Sequence, residues 1–167
     1  MERKPGEGVE REAVFSPAIR METSYSILIH ARPESVWAAL TEPAQMIRWM
    51  GDPEMRLEVE TDWLPGSPVI VRGFHHVSFE NRGTVLAAEK NRRLEYTHLS
   101  SVSRLRDIPE NHTVFSFLLT PEKEHTLLAL SLRNFPTESI RKHFEFYWPA
   151  TLTILKEVAE ENVNDSL

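Results

Sequence analysis

Apolar residues alternate with polar ones through much of the chain and recur at helical spacing in three places. Tyr25, Ile27 and Ile29 alternate with Ser26, Leu28 and His30, which predicts a strand near residues 21–31. Pro33 then opens ESVWAAL, where Val36, Trp37 and Leu40 share one helical face. Pro43 opens a second short helix, AQMIRWM, which Gly51 and Pro53 stop. From residue 55 to 134 the period is two. Leu57, Val59, Thr61 and Trp63 alternate before Leu64-Pro65-Gly66-Ser67, which has the chemistry of a type II turn. Val69 and Val71 follow, with a bulge or bend expected at Gly73. Turns are expected at Asn81-Arg82-Gly83, Lys90-Asn91-Arg92 and Pro121-Glu122-Lys123-Glu124. They separate Val85/Ala87, Leu94/Tyr96/His98, Phe115/Phe117/Leu119 and Leu128/Leu130/Leu132, so that six consecutive strands form an antiparallel meander. A polar connection, Ser100–Asn111, is longer than a hairpin needs and reads as a solvated loop or a lid.

The last pattern is the strongest. Thr137 is a good N-cap, and Ile140, Phe144, Tyr147, Trp148, Thr151, Leu152, Leu155 and Val158 lie on one stripe of a helix over roughly 137–161. Pro149 frees the carbonyl of Glu145 and predicts a kink. The order of elements gives an α+β domain. A curved antiparallel sheet of about seven strands wraps a long C-terminal helix, with two short helices after the first strand. Such curvature leaves room for a cavity between sheet and helix. Residues 1–18, charged and broken by Pro and Gly, predict a flexible arm, 19–161 one domain, and 162–167 a frayed acidic tail.

Composition narrows the partners. The 167 residues fit one domain, and Lys+Arg 19 against Asp+Glu 25 gives a net charge of −6, which speaks against nucleic acid. With no cysteine, disulfides, thiol nucleophiles and thiolate metal sites are excluded. No apolar run approaches the ~18–20 residues of a membrane span. The first fifteen residues lack the apolar core of a secretory signal, so a cytoplasmic protein is expected.

Several short motifs occur in a telling order: Pro33, Val36, Trp37, Leu40 and Thr41-Glu42-Pro43, then Arg48-Trp49-Met50-Gly51 and Asp62-Trp63-Leu64-Pro65-Gly66. Gly83-Thr84-Val85-Leu86, Arg93-Leu94-Glu95-Tyr96-Thr97, Leu119-Thr120-Pro121, Thr126-Leu127-Leu128 and Trp148 continue the series. Over residues 22–160 this resembles the AHSA-type domains (activator of heat-shock-protein ATPase homologues) of the START-like, pollen-allergen-like SRPBCC superfamily. The resemblance implies the helix-grip fold. Met50 in place of a second Trp, Ser67 in place of Gly, and Pro149 depart from the family pattern.

On that fold the inward positions expected to line a cavity are Leu57, Val59, Val71, His75, Tyr96, His98, Phe115, Phe117, Leu130, Phe144, Tyr147 and Trp148. Trp37, Trp49, Gly51, Pro65 and Gly66 are expected to be structural. By alternation His75 and His98 both point inward, whereas His75 and His76, as strand neighbours, face opposite ways and cannot share a metal. No nucleophile motif, phosphate loop or metal signature is present, so no catalytic residue, metal or cofactor is expected. The leading expectation is non-catalytic binding of a hydrophobic or aromatic small molecule. The resemblance also implies two alternatives: a chaperone co-regulator or stress-related protein, and a cyclase- or hydrolase-like enzyme using the same cavity. In the latter, His75, His98 or Tyr96 would move a proton. The patterns carry no signal of oligomeric state.

Overall fold

The computed structural model describes residues 22–164. Strand β1 (Thr23–Ile29) leads into helices α1 (Pro33–Thr41) and α2 (Pro43–Met50). Six strands follow: β2 (Glu58–Glu60), β3 (Pro68–His75), β4 (Val77–Glu89), β5 (Arg93–Ser100), β6 (Thr113–Glu122) and β7 (His125–Arg133). Helix α3 (Glu138–Asn164) closes the chain. All strands pair antiparallel in the order β1-β7-β6-β5-β4-β3-β2, so the first strand docks beside the last. This seven-stranded sheet gripping a long terminal helix is the helix-grip fold.

The two short helices are divided by one residue. Pro43 forces Glu42 into extended geometry (φ −82°, ψ 120°), which ends α1 at Thr41. The Glu42 N–H still donates to Ala38 O, while its carbonyl accepts from Gln45 and Met46 as the start of α2. Trp49 Nε1 donates to Ala39 O at 2.8 Å and locks α2 against α1. Gly66, with φ +89°, turns the chain where Ser67 N donates to Leu64 O at 2.9 Å, the type II turn that Pro65-Gly66 predicts. Thr137 caps α3, its Oγ1 accepting from Ile140 N at 3.1 Å.

Several boundaries differ from the sequence expectation. Asn81-Arg82-Gly83 is not a turn but lies inside β4, and the chain reverses at His76, whose φ is +63°. Gly83 serves a close approach there: a Cβ would sit 1.6 Å from the carbonyl oxygen of Thr97 on β5. Gly73 lies in regular register opposite Phe79, and the irregularity falls between Val85 and Ala87 on the β4–β5 ladder. Strand β2 is only three residues long, and three residues beyond it Trp63 adopts φ +57°. Asp62 Oδ1 accepts from Leu64 N, and the Trp63 indole reaches Thr41 O at 2.7 Å. Helix α3 runs through Pro149, an exposed residue, and on to Asn164, three residues beyond the expected end. Its last turns are tied to the N-terminal elements: Arg48 pairs with Glu161, and Asn162 Nδ2 donates to Gln45 Oε1 at 2.6 Å. The arm expected over residues 1–18 and the last three residues of the expected tail lie outside the described residues.

Candidate functional site

Alternation on β5, β6 and β7 aims Leu94, Tyr96, Phe115, Phe117, Leu128 and Leu130 at α3, and each is buried. Helical spacing on α3 returns Phe144, Trp148, Leu152 and Leu155 to the same side, also buried. The rings meet edge to face. Trp148 lies 5.4 Å from Phe115, 5.9 Å from Phe117 and 5.2 Å from Tyr147, and Phe144 lies 5.3 Å from Phe115. Tyr96 stacks on Phe117 at 6.2 Å and meets Trp63 at 5.5 Å. Towards the edge of this cluster Val59, Met50, Trp63, His98 and Tyr147 are half-buried and form its rim.

Few polar atoms interrupt the cluster. The Tyr147 hydroxyl donates to Met50 O at 2.8 Å, tying α3 to the end of α2, and burial pushes its phenol up to about 12. Burial, with Tyr147 adding to it, also raises the Tyr96 phenol, so both are neutral hydroxyls at ordinary pH. His98 is stacked on Phe115 at 5.0 Å and meets Phe144 edge-on at 5.5 Å. Burial among these rings lowers its pKa from 6.5 to about 4, with the nearby charges of His112 and His143 acting the same way. Trp148 is 2% exposed, yet its Nε1 has no hydrogen-bond acceptor. A buried N–H without a partner is uncommon and costs ~1–3 kcal/mol relative to a satisfied one.

A titration follows from His98. Between pH ~6.5 and ~4 the unfolded chain takes up a proton that the folded state refuses, so stability falls as pH falls through that window. The loss attributable to this ring is on the order of 2–3 kcal/mol by pH ~4 and levels off below it. In urea unfolding at pH 7, 5.5 and 4.5, His98→Phe is expected to flatten the pH dependence relative to wild type. Equal slopes in the two proteins would show that the ring is hydrated.

The structure therefore brings together Tyr96, His98, Phe115, Phe117, Leu130, Phe144, Tyr147 and Trp148, with Val59 packed beside them, whereas Leu57 lies against Gly51 and Gly73 and Val71, though buried, lies outside this cluster on β3. His75 does not join them. It is exposed at the end of the β3–β4 hairpin, beyond the reach of α3, because the strand runs past the core before it turns. His75 and His76 are not on opposite faces either: the positive φ of His76 brings their rings to 4.6 Å. No group of three or more metal-ligating side chains occurs among the described residues. Trp49 (2% exposed) plugs the helix layer, 6.2 Å from Trp148. Trp37 packs on the same core, and Gly51 leaves room for the Met55 sulfur, which a Cβ would approach to 2.5 Å.

Two features escape the sequence patterns. A cleft of about 480 Å³ opens near the β3–β4 hairpin between Met55, Arg56, Arg72, Gly73, Phe74, Ser78, Phe79, Glu80 and Ser101, away from the ring cluster. It is assembled from separate segments, and Arg72 in it is held by Glu60 (2.8 Å) and Glu80 (3.0 Å). On the sheet face away from α3, the Thr97 hydroxyl meets His112 Nδ1 at 3.1 Å, and His112 Nε2 meets Asp107 at 2.6 Å. Thr97 Oγ1 also accepts from Thr84 N at 2.9 Å, so one hydroxyl joins the β4 backbone to the His112 ring. This relay ties the 100–111 connection down, as does Asn134, which donates to the carbonyls of Glu110 (3.1 Å) and His112 (2.7 Å).

Comparison with known proteins gives consistent results. The family model for "Activator of Hsp90 ATPase homolog 1-like protein" matches residues 30–160. No curated protein sequence matches the chain. Among solved structures, a protein from Cytophaga hutchinsonii is similar at 31% identity and TM-score 0.71, covering 87% of this chain and 98% of that one. A protein from Chromobacterium violaceum is similar at 18% identity and TM-score 0.72, covering 83% and 96%. The Aha1 dimer from Colwellia psychrerythraea follows at 21% identity and TM-score 0.65, covering 84% and 96%. The last two establish likeness of fold alone. No helix among the described residues is long and apolar enough to cross a membrane.

Proposed function

The chain belongs to the activator of Hsp90 ATPase homolog 1-like family, and we propose that this member holds a hydrophobic, aromatic small molecule between its sheet and α3. The observation that carries this reading is the Trp148 indole N–H, buried without an acceptor in the middle of the ring cluster. A core built only for stability would leave such a donor at the surface or pair it. A ligand carrying an acceptor atom supplies the partner. The half-buried rim of Val59, Met50 and Tyr147 supports an entry there, since these apolar groups pack on the core yet touch solvent, with Leu57 further out against Gly51 and Gly73. Phe115, Phe117, Leu130 and Phe144 would form the walls, with Tyr96 and His98 as orienting polar groups. Val71 lies at the far end. No catalytic role is assigned, and His75 is left out of the site.

Native mass spectrometry of freshly purified protein, paired with a denatured spectrum, tests the reading. A mass excess seen only in the native state is expected, and Trp148→Phe should reduce it at least fivefold. If that variant retains the same excess while folding normally, the site lies elsewhere. The family assignment favours a second reading, association with a chaperone ATPase. Stimulation of such an ATPase by this protein, with no small molecule retained, would move the function to a protein surface.

A further inference from the structure

The polar groups of the ring cluster have a common property: none of them carries charge at neutral pH. Trp148 Nε1 can only donate. The Tyr96 and Tyr147 phenols are kept protonated by burial, and His98 is kept neutral by the aromatic rings on either side of it. The lysines and arginines of α2 and α3 each have a carboxylate beside them, Lys142 with Glu138 at 4.0 Å among them. Arg141 is held by Glu138 (2.6 Å) and Glu145 (2.5 Å), Lys156 by Glu160 (2.6 Å), and Arg48 by Glu161. On the opposite sheet face Arg93 and Arg133 are both bound to Glu95, each at 3.0 Å. A carboxylate entering the cluster would therefore lose its hydration and meet no lysine or arginine free of its own carboxylate on α2 or α3, only the His143 ring 5.5 Å from Phe144 and 6.0 Å from Tyr147, a poor exchange for water. A neutral carbonyl or ether oxygen loses much less on leaving water and gains the hydrogen bond that the buried, unpartnered Trp148 N–H has to give.

We infer that the site selects an uncharged aromatic ligand whose principal polar atom is a hydrogen-bond acceptor for Trp148 Nε1, and rejects a carboxylate of the same shape. The inference rests on the binding reading above and narrows its ligand class.

Three probes sharing one fused ring system separate the terms: 2-acetylnaphthalene (neutral acceptor), 2-ethylnaphthalene (no acceptor) and 2-naphthoate (anion). Each is titrated at pH 7 into the full chain while the indole N–H resonances are followed by NMR, with Trp148 assigned from the Trp148→Phe variant. The ketone is expected to move the Trp148 N–H downfield and to bind at least tenfold more tightly than the naphthoate. The ethyl compound is expected to bind more weakly than the ketone and to leave that N–H without a downfield shift. In Trp148→Phe the ketone should lose its advantage over the ethyl compound while both still bind. Naphthoate binding as tightly as the ketone would overturn the selection for neutral ligands and leave the binding site standing. Ketone binding without a downfield shift of Trp148 would overturn the role of the indole. If none of the three perturbs Trp148 or its neighbouring rings, the ligand-binding reading falls, and this inference with it.

Discussion

Replacing Trp148 by alanine is expected to cost about 3–5 kcal/mol of folding stability, the range for removing a large aromatic from a packed core. For a domain of this size that lowers the melting temperature by roughly 6–20 °C. The indole touches rings from three directions, Phe115 and Phe117 on the sheet, Tyr147 on its own helix and Trp49 on α2, so the void cannot collapse without moving several elements. Trp148→Phe should cost far less, because the ring packing survives and the unpaired N–H disappears with the indole. The two variants thus separate packing from polarity. Calorimetric melts showing similar losses for Ala and Phe would mean that the indole N–H is satisfied after all.

Gly83→Ala is expected to be the second severe lesion, at about 3 kcal/mol or more. The new methyl would meet the backbone of Thr97, not a flexible side chain, at 1.6 Å. Relief requires β4 and β5 to separate where Thr84 N and Thr97 Oγ1 hydrogen-bond, and that displaces the Thr97–His112–Asp107 relay as well. Hydrogen exchange should therefore report faster amide exchange on β5 and across residues 100–112, beyond the loss of global stability. A variant with wild-type melting and exchange would show that the sheet opens there at no cost.

Both residues show how unevenly the molecule could be read in advance. Periodicity placed Trp148 on the inward stripe of α3, and the same reasoning located both short helices, the Pro65-Gly66 turn and the inward residues of β5, β6 and β7. These are local properties, written in spacings of two and 3.6. Gly83 was misleading. Asn-Arg-Gly has turn chemistry, but the glycine answers a long-range need, the approach of Thr97 on a neighbouring strand, which no local pattern reveals. His75 misled for a related reason: alternation tells which face a residue is on, not where along the strand the core ends. The unpartnered Trp148 N–H and the relay through His112 depend on contacts between distant segments and left no mark in the spacing.

The docking of β1 beside β7 has a consequence for biosynthesis. The backbone N–H of His30, just beyond β1, is bound by a side chain 130 residues later, Glu160, and every ladder bond of β1 goes to residues 126–132. Emerging from the ribosome, α1 and α2 can pack on each other and on Trp63, but β1 has no ladder partner until residues 126–132 have been made. The meander β2–β6 can pair strand by strand as it appears, but the domain closes only when its two ends meet. Its slowest step is then a long-range one. Throughout that interval the apolar side of β1 (Tyr25, Ile27 and Ile29) is the surface most in need of protection from aggregation, either by a holding chaperone or by fast translation of β7 and α3.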